Sequence, residues 1–265
     1  MSLPLTPPPA FRDALSAAAG PLAGMWVCSG SPLVAELCAG SGLDWLLIDA
    51  EHSPNGPESV LAQLQAVHGH PVHAVVRPPS ADVVLIKQYL DLGAQNLLIP
   101  MIDTAEQARR AAAAVEYPPR GVRGVGSALA RASRWNRIPG YLATARDTIT
   151  LTVQVESVEA VENVADIAAV EGVDAVFVGP SDLAASMGVL GRQDHPEVVA
   201  AVEHCLAEIR RAGRPAGVNA FDPALAARYV AAGASFVLLG ADVAILARGS
   251  EHLARIAAGL VSGPG

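Results

Sequence analysis

Ile149-Thr-Leu-Thr-Val-Gln-Val-Glu156, the alanine-rich Ala160–Val170 and Ala175-Val-Phe-Val-Gly-Pro-Ser-Asp182 follow one another as strand, helix and strand. The second run is apolar through Val178, the first alternates apolar residues with Gln154 and Glu156, and most strand candidates along the chain are largely apolar on both faces, as strands are when helices cover a parallel sheet. The same alternation of strand and helix extends in both directions. Strands are predicted at Gly24–Cys28, Trp45–Asp49, His73–Arg77, Asn96–Pro100, Thr150–Val155, Ala175–Gly179, Ala216–Asn219 and Phe236–Gly240. Helices are predicted over Asp82–Leu92, Thr104–Val115, Ala160–Val170, Pro196–Ala212 and Pro223–Ala232. Gly93 and Gly233 stand where a helix ends on a left-handed residue. Eight β-α units in 265 residues match an α/β chain folded as a (β/α)8 TIM barrel, which takes about 250 residues. The alternative is a doubly wound open sheet. It calls for a glycine-rich turn after its first strand, and no GxGxxG follows Cys28. Residues 1–265 therefore read as one barrel domain, with a mobile Pro-rich start over 1–9 and a frayed end over 262–265.

Composition narrows the function. Net charge is −8 and no basic patch interleaves with aromatics, which excludes nucleic acid as an expected partner. Cys28, Cys38 and Cys205 are odd in number and far apart, as reduced thiols are. The uncharged stretch from Ala14 to Ala35 is broken by Pro21 and Pro32, so neither a signal peptide nor a membrane span is expected. The expected location is the cytoplasm.

Barrel enzymes carry their chemistry at the C-terminal ends of the strands. There the chain places Asp49, Glu51, His52, Arg77, Gln154, Glu156, Asp182 and Asn219. Glu156 and Asp182 leave neighbouring strands whose ends lie roughly 5 Å apart. Two acids without a protein cage suit Mg²⁺ or Mn²⁺, which keep positions open for water and substrate. Blander roles exist for each group. Asp182 could cap the helix after Gly179-Pro180-Ser181, Arg77 could pair with Asp49 or Glu51, and His52 could be a loop histidine in solvent. His68-Gly-His70-Pro-Val-His73 precedes a strand and belongs to the opposite end of the barrel. The chain's single lysine, Lys87, lies inside a helix. Schiff-base chemistry needs an amine at the reacting carbon, so a metal electrophile is the expected route.

Leu43-Asp-Trp-Leu-Leu-Ile-Asp-Ala-Glu-His52, Val76-Arg-Pro-Pro79, Asp91-Leu-Gly-Ala-Gln95, Leu98-Ile-Pro-Met101, Arg120-Gly-Val-Arg-Gly-Val-Gly126, Val153-Gln-Val-Glu-Ser157 and Gly179-Pro-Ser-Asp-Leu183 together resemble the HpcH/HpaI aldolase/citrate lyase family, in its class II pyruvate aldolase branch. The resemblance spans about Leu22 to Arg255. It implies a (β/α)8 barrel and reversible, metal-dependent aldol cleavage of 4-hydroxy-2-oxo acids to pyruvate, or hydroxypyruvate, and an aldehyde. By position it implies Glu156 and Asp182 as ligands of Mg²⁺, Mn²⁺ or Co²⁺. It gives His52 the acid/base role with Asp91 as its partner, and Arg77 the stabilisation of the enolate. Asp49, Gln154 and Ser181 fall at substrate-contact positions. Asn219 stands where the branch usually has leucine, at a position expected to face the donor. The resemblance also implies a homo-oligomer, a hexamer built as a trimer of dimers. Two other readings stay open: an acyl-CoA lyase of the citrate lyase β or malyl-CoA lyase type, which needs a basic groove, and a non-catalytic metal- or ligand-binding barrel.

Overall fold

The computed structural model describes residue 7 and residues 9–262. Residues 1–6, 8 and 263–265, most of the two ends expected to be mobile, lie outside the described residues. Eight parallel strands close into a barrel in sequence order. They are β1 (Leu22–Val27), β2 (Trp45–Asp49), β3 (His73–Arg77), β4 (Asn96–Ile99), β5 (Thr150–Val155), β6 (Ala175–Val178), β7 (Ala216–Asn219) and β8 (Phe236–Ala241). The helices are α1 (Phe11–Ala17), α2 (Pro32–Ala39), α3 (Pro57–Ala66), α4 (Val83–Asp91), α5 (Ala105–Val115), α6 (Tyr141–Thr144), α7 (Val158–Glu162), α8 (Val164–Ala168), α9 (Pro180–Ser186), α10 (Pro196–Arg211), α11 (Pro223–Ala231) and α12 (Asp242–Ser262). The helix expected over Ala160–Val170 is two short ones, α7 and α8, which meet at Asn163. Gly93 and Gly233 take φ of +92° and +107°, as their helix-stop reading requires.

Two layers of packing hold the barrel. Between sheet and helices lies an aliphatic shell that includes Leu46, Ile48, Val76, Leu97, Val153, Val176 and Val218. Inside the barrel an aromatic cluster of Trp45, Phe177 and Phe236 fills the space with Leu47, Val75, Leu98 and Leu238. Glycine makes room for it. A Cβ on Gly24 would stand 2.5 Å from the Trp45 ring, and one on Gly217 would run into Phe236. From the N-terminal end, α1 presses Phe11 onto Trp45 and Phe236, with ring centroids 5.5 and 5.7 Å away. It is pinned by its backbone: Phe11 N donates to Asn96 Oδ1 (2.8 Å) and Arg12 N donates to Thr150 Oγ1 (3.0 Å). The barrel is thus stoppered at its N-terminal end and open at the other.

Candidate active site

The open end holds a cavity of about 490 Å³, lined among others by Trp26, Asp49, His52, Arg77, Gln154, Ser181, Asp182 and Asn219. That volume lies in the ordinary range for small-molecule sites. Seven of the nine residues expected at the site line it. Glu156, just past β5, is buried beside it: the Gln154 amide Nε2 donates to Glu156 Oε2. The backbone just past β6 comes close, since a Cβ on Gly179 would be 2.8 Å from Glu156 Oε2 and 2.9 Å from Gln154 Nε2. Met101, at the exit of β4, turns through φ +55° and donates its N–H to Glu156 Oε1 at 2.8 Å. A left-handed turn costs a non-glycine residue about 1–2 kcal/mol. The N–H directed at Glu156 is the visible return on that strain.

The ends of β2 and β3 form a second cluster. Arg77 Nε donates to Asp49 Oδ1 at 2.7 Å, and Arg77 Nη1 stands 2.8 Å from Glu51 Oε2. The guanidinium lies over the Trp26 ring, 4.4 Å from its centroid. Asp49 also accepts the backbone N–H groups of Glu51 and His52 (3.1 and 3.2 Å), which fixes the turn that presents His52. The His52 ring is 67% exposed, with Nε2 3.9 Å from Glu51 Oε1. Trp26 Nε1 donates to Asn219 Oδ1 at 2.8 Å, tying β1 to β7 across the mouth. Asn219 therefore turns its amide N–H groups, not its oxygen, to other partners.

The acids bear on one another. Burial pushes the Glu156 carboxyl up to about 7; hydrogen bonds from Met101 and Gln154 pull it down, and the charges of Asp182 and Glu51 push it further up. Burial likewise raises Glu51, with Arg77 and His52 opposing and Asp49 and Asp182 adding to the rise. Gln154 Oε1 is buried without a hydrogen-bond partner, and Glu51 Oε2 has only its ion pair with Arg77. A divalent cation fits this donor set: oxygens only, crowded negative charge, and an open face for water and substrate. Among the described residues, no group of three or more His, Cys, Asp or Glu is gathered to hold a metal by itself. Any ion here would draw on Glu156 and Asp182 with other ligands from outside the chain.

Asp182 sits in the first turn of α9, whose N-cap is Gly179 with no side-chain cap, so it is not the cap that sequence allowed. Ser181 Oγ accepts from Gln193 Nε2 at 2.6 Å at the rim. Asp91 is elsewhere. It closes α4, which runs back toward the N-terminal end of the barrel, and its Oδ1 accepts from Arg123 Nη2 at 3.0 Å. Within one chain the expected His52–Asp91 pairing is not formed; the acid beside His52 is Glu51. His68, His70 and His73 line a separate, smaller cavity with Arg131 and Arg134, at the closed end where their place before β3 put them. Trp26, Met101, Gln193, Asp194 and Phe221 shape the site and were not among the expected site residues, while Glu51, read from the sequence as a strand-end acid and a possible partner of Arg77, takes that place. Trp26 alone left a trace in the sequence, two residues before the end of the first strand candidate.

Residues 22–248 match the HpcH/HpaI aldolase/citrate lyase family. The chain belongs to that family. A family relative from Salmonella dublin, named 4-hydroxy-2-oxo-heptane-1,7-dioate aldolase, is 54% identical over 245 residues, 92% of this chain and 93% of its own. A crystal structure of an HpcH/HpaI aldolase/citrate lyase family protein from Burkholderia cenocepacia J2315 superposes with a TM-score of 0.89 at 39% identity, covering 93% of this chain and 98% of the other. The HpcH/HpaI aldolase from Desulfitobacterium hafniense DCB-2 superposes with a TM-score of 0.85 at 29% identity over 97% and 98%. In this HpcH/HpaI chain no helix among the described residues is long and apolar enough to cross a membrane.

Proposed function

We propose that the protein is a class II aldolase that cleaves 4-hydroxy-2-oxo acids to pyruvate or hydroxypyruvate and an aldehyde, and runs the reverse condensation. The observation that carries this reading is the meeting of Glu156, Asp182, Arg77 and His52 at one open barrel end. A divalent cation (Mg²⁺, Mn²⁺ or Co²⁺) held by Glu156 and Asp182 would supply an electrophile for the keto and carboxylate oxygens of the 2-oxo acid.

The chain's own groups do the rest. His52, exposed at the mouth, takes the proton of the C4 hydroxyl. As the C3–C4 bond breaks, C4 leaves as the aldehyde and the bonding pair moves onto C3 and the C2 oxygen. Arg77, held by Asp49, Glu51 and the Trp26 ring, presents a fixed positive charge to that oxygen without reorganising. Protonation at C3 then gives the free 2-oxo acid. Gln154 and Ser181 contact substrate, and Asn219 faces the C3 substituent. Asp91 could serve His52 only from a second subunit. The exposed Ile245, Leu246, Leu253, Ile256 and Leu260 of α12, with Leu33 and Leu37 of α2, support assembly into a homo-oligomer, which we take to be a hexamer. Free Cys28, Cys38 and Cys205 fit a reducing compartment, and the cytoplasm is the proposed location.

The acyl-CoA lyase reading needs a basic groove at the site. The arginine-rich stretch Arg120–Arg137, which would have to form it, instead spends Arg123 on Asp91 and Arg131 on the Leu92 carbonyl, at the other end of the barrel. Pyruvate release from 4-hydroxy-2-oxo acids, read through lactate dehydrogenase and NADH with and without added Mn²⁺, tests the proposal. Turnover of acyl-CoA esters alone, or of neither class, would replace it.

A further inference from the structure

The His52 ring is 67% exposed, and its Nε2 stands 3.9 Å from Glu51 Oε1. A ring so open to solvent takes its position from the loop that carries it. That loop leaves β2 at Asp49 and ends on Gly56, the N-cap of α3. Two groups close it. The Asp49 carboxylate accepts the N–H groups of Glu51 and His52, but it also holds Arg77. At the far end stands Asn55, which is buried and is not among the residues that line the cavity.

Asn55 is engaged at both ends of its amide. Its Nδ2 donates to the Asp49 carbonyl oxygen at 2.7 Å and to Ser53 Oγ at 3.0 Å, and Ser53 Oγ donates to the same carbonyl. Its Oδ1 accepts from Ser59 Oγ at 2.8 Å and from Gln63 Nε2 at 2.6 Å, both on α3. The two ends of the loop are thus tied to each other and to α3, with His52 between them. Gln63 adds an independent sign. It is fully buried on the face of α3 that also buries Val60 and Leu64, and its Oε1 has no hydrogen-bond partner. A buried polar atom left unpaired is costly, and an apolar residue there would avoid the loss. What the glutamine supplies is the bond into Asn55. We propose that Asn55 is a positioning residue for the aldol step: it fixes the loop that carries His52, and with it the place of the imidazole at the C4 hydroxyl. The proposal rests on the aldolase reading above, with His52 as the base.

The test uses the full-length protein with Mn²⁺. It follows pyruvate release from 4-hydroxy-2-oxo-heptane-1,7-dioate, the compound in the name of the Salmonella dublin relative. Asn55→Ala should lower kcat by at least about tenfold, since a misplacement of about 1 Å can cost about 10²-fold. KM should change by less than about threefold, because the substrate's own contacts stay in place. Asn55→Asp keeps the acceptor that Ser59 and Gln63 use, loses the donor to Asp49, and should fall with Asn55→Ala. In a His52→Ala background neither change should lower the residual rate by more than about twofold, because a group that acts through His52 has nothing left to place. Gln63→Leu, an apolar side chain in an apolar shell, serves if Asn55→Ala fails to fold; it should lower kcat by a smaller factor, and not at all in the His52→Ala background. Wild-type kcat in both Asn55 variants would overturn the proposal. So would the same further loss in the His52→Ala background as in the wild type, which is what a merely structural role produces. No pyruvate release by the wild type would overturn the aldolase reading, and a His52→Ala variant as fast as the wild type would overturn the base it assigns; either result takes this proposal with it.

Discussion

Replacing Asn219 by leucine should weaken the enzyme's use of a donor hydroxylated at C3. In the present structure the amide oxygen of Asn219 accepts the Trp26 indole N–H at 2.8 Å. Its N–H groups remain for the cavity it lines, and a C3 hydroxyl oxygen is a suitable acceptor. A net hydrogen bond contributes about 0.5–1.5 kcal/mol, so its loss should lower the kcat/KM ratio of hydroxypyruvate to pyruvate by about 2- to 13-fold. Both donors are measured with one aldehyde, so that acceptor effects cancel. Trp26→Phe sharpens the test. It keeps a ring under Arg77 but releases the Asn219 amide to rotate, and it should lower the same ratio by a smaller factor. An unchanged ratio in Asn219→Leu, or a shift toward hydroxypyruvate, would show that this amide does not read the donor's third carbon.

Exhaustive chelation should abolish turnover and Mn²⁺ should restore it, while Glu156→Ala and Asp182→Ala should each stay inactive with the metal present; steady-state assays and circular dichroism check activity and fold together. His52→Ala should slow aldol cleavage by at least about 10²-fold, measured by pyruvate release. Gly24→Ala forces a methyl into the Trp45 ring and should cost about 1–3 kcal/mol, lowering Tm by roughly 2–12 °C for a chain of this size; a Trp45→Phe background should recover much of the loss. Burial pushes the Cys28 and Cys205 thiols up to about 12, so only about 10⁻⁴ of each is thiolate at pH 8. Iodoacetamide should label both slowly in the native protein and rapidly in denaturant, as peptide mass spectrometry will show.

The strands were the most legible part of the sequence. Ala175–Val178 and most of the other strands are apolar on both faces, and that pattern survives any detail of packing. β2, β3, β5 and β7 fall residue for residue where the runs of apolar residues put them. α1 was not legible because seven residues carry too little periodicity, and its role depends on Asn96 and Thr150, distant in the chain. Glu156, Asp182, Arg77 and His52 could be singled out because each lies at, or a few residues past, the C-terminal end of a strand. Asp91 could not be placed, since its position at the close of a helix fixes which end of the barrel it occupies, and a motif match does not weigh that. Met101 gives no local sign of a positive φ; its conformation answers to Glu156, 55 residues on. The bond between Trp26 and Asn219 spans 193 residues and belongs to barrel closure alone.

The aromatic stopper under the cavity has a kinetic meaning. Phe177 belongs both to the cluster that Phe11 seals from below and to the lining of the site. Substrates therefore share one doorway with products, and depth becomes order. In the proposed reaction the 2-oxo acid occupies the blind end, and the aldehyde stands between it and solvent. In cleavage the aldehyde has to depart before the 2-oxo acid can follow; in condensation the 2-oxo acid has to enter first. A cul-de-sac of this kind writes a compulsory sequence of binding and release into the packing of four aromatic rings.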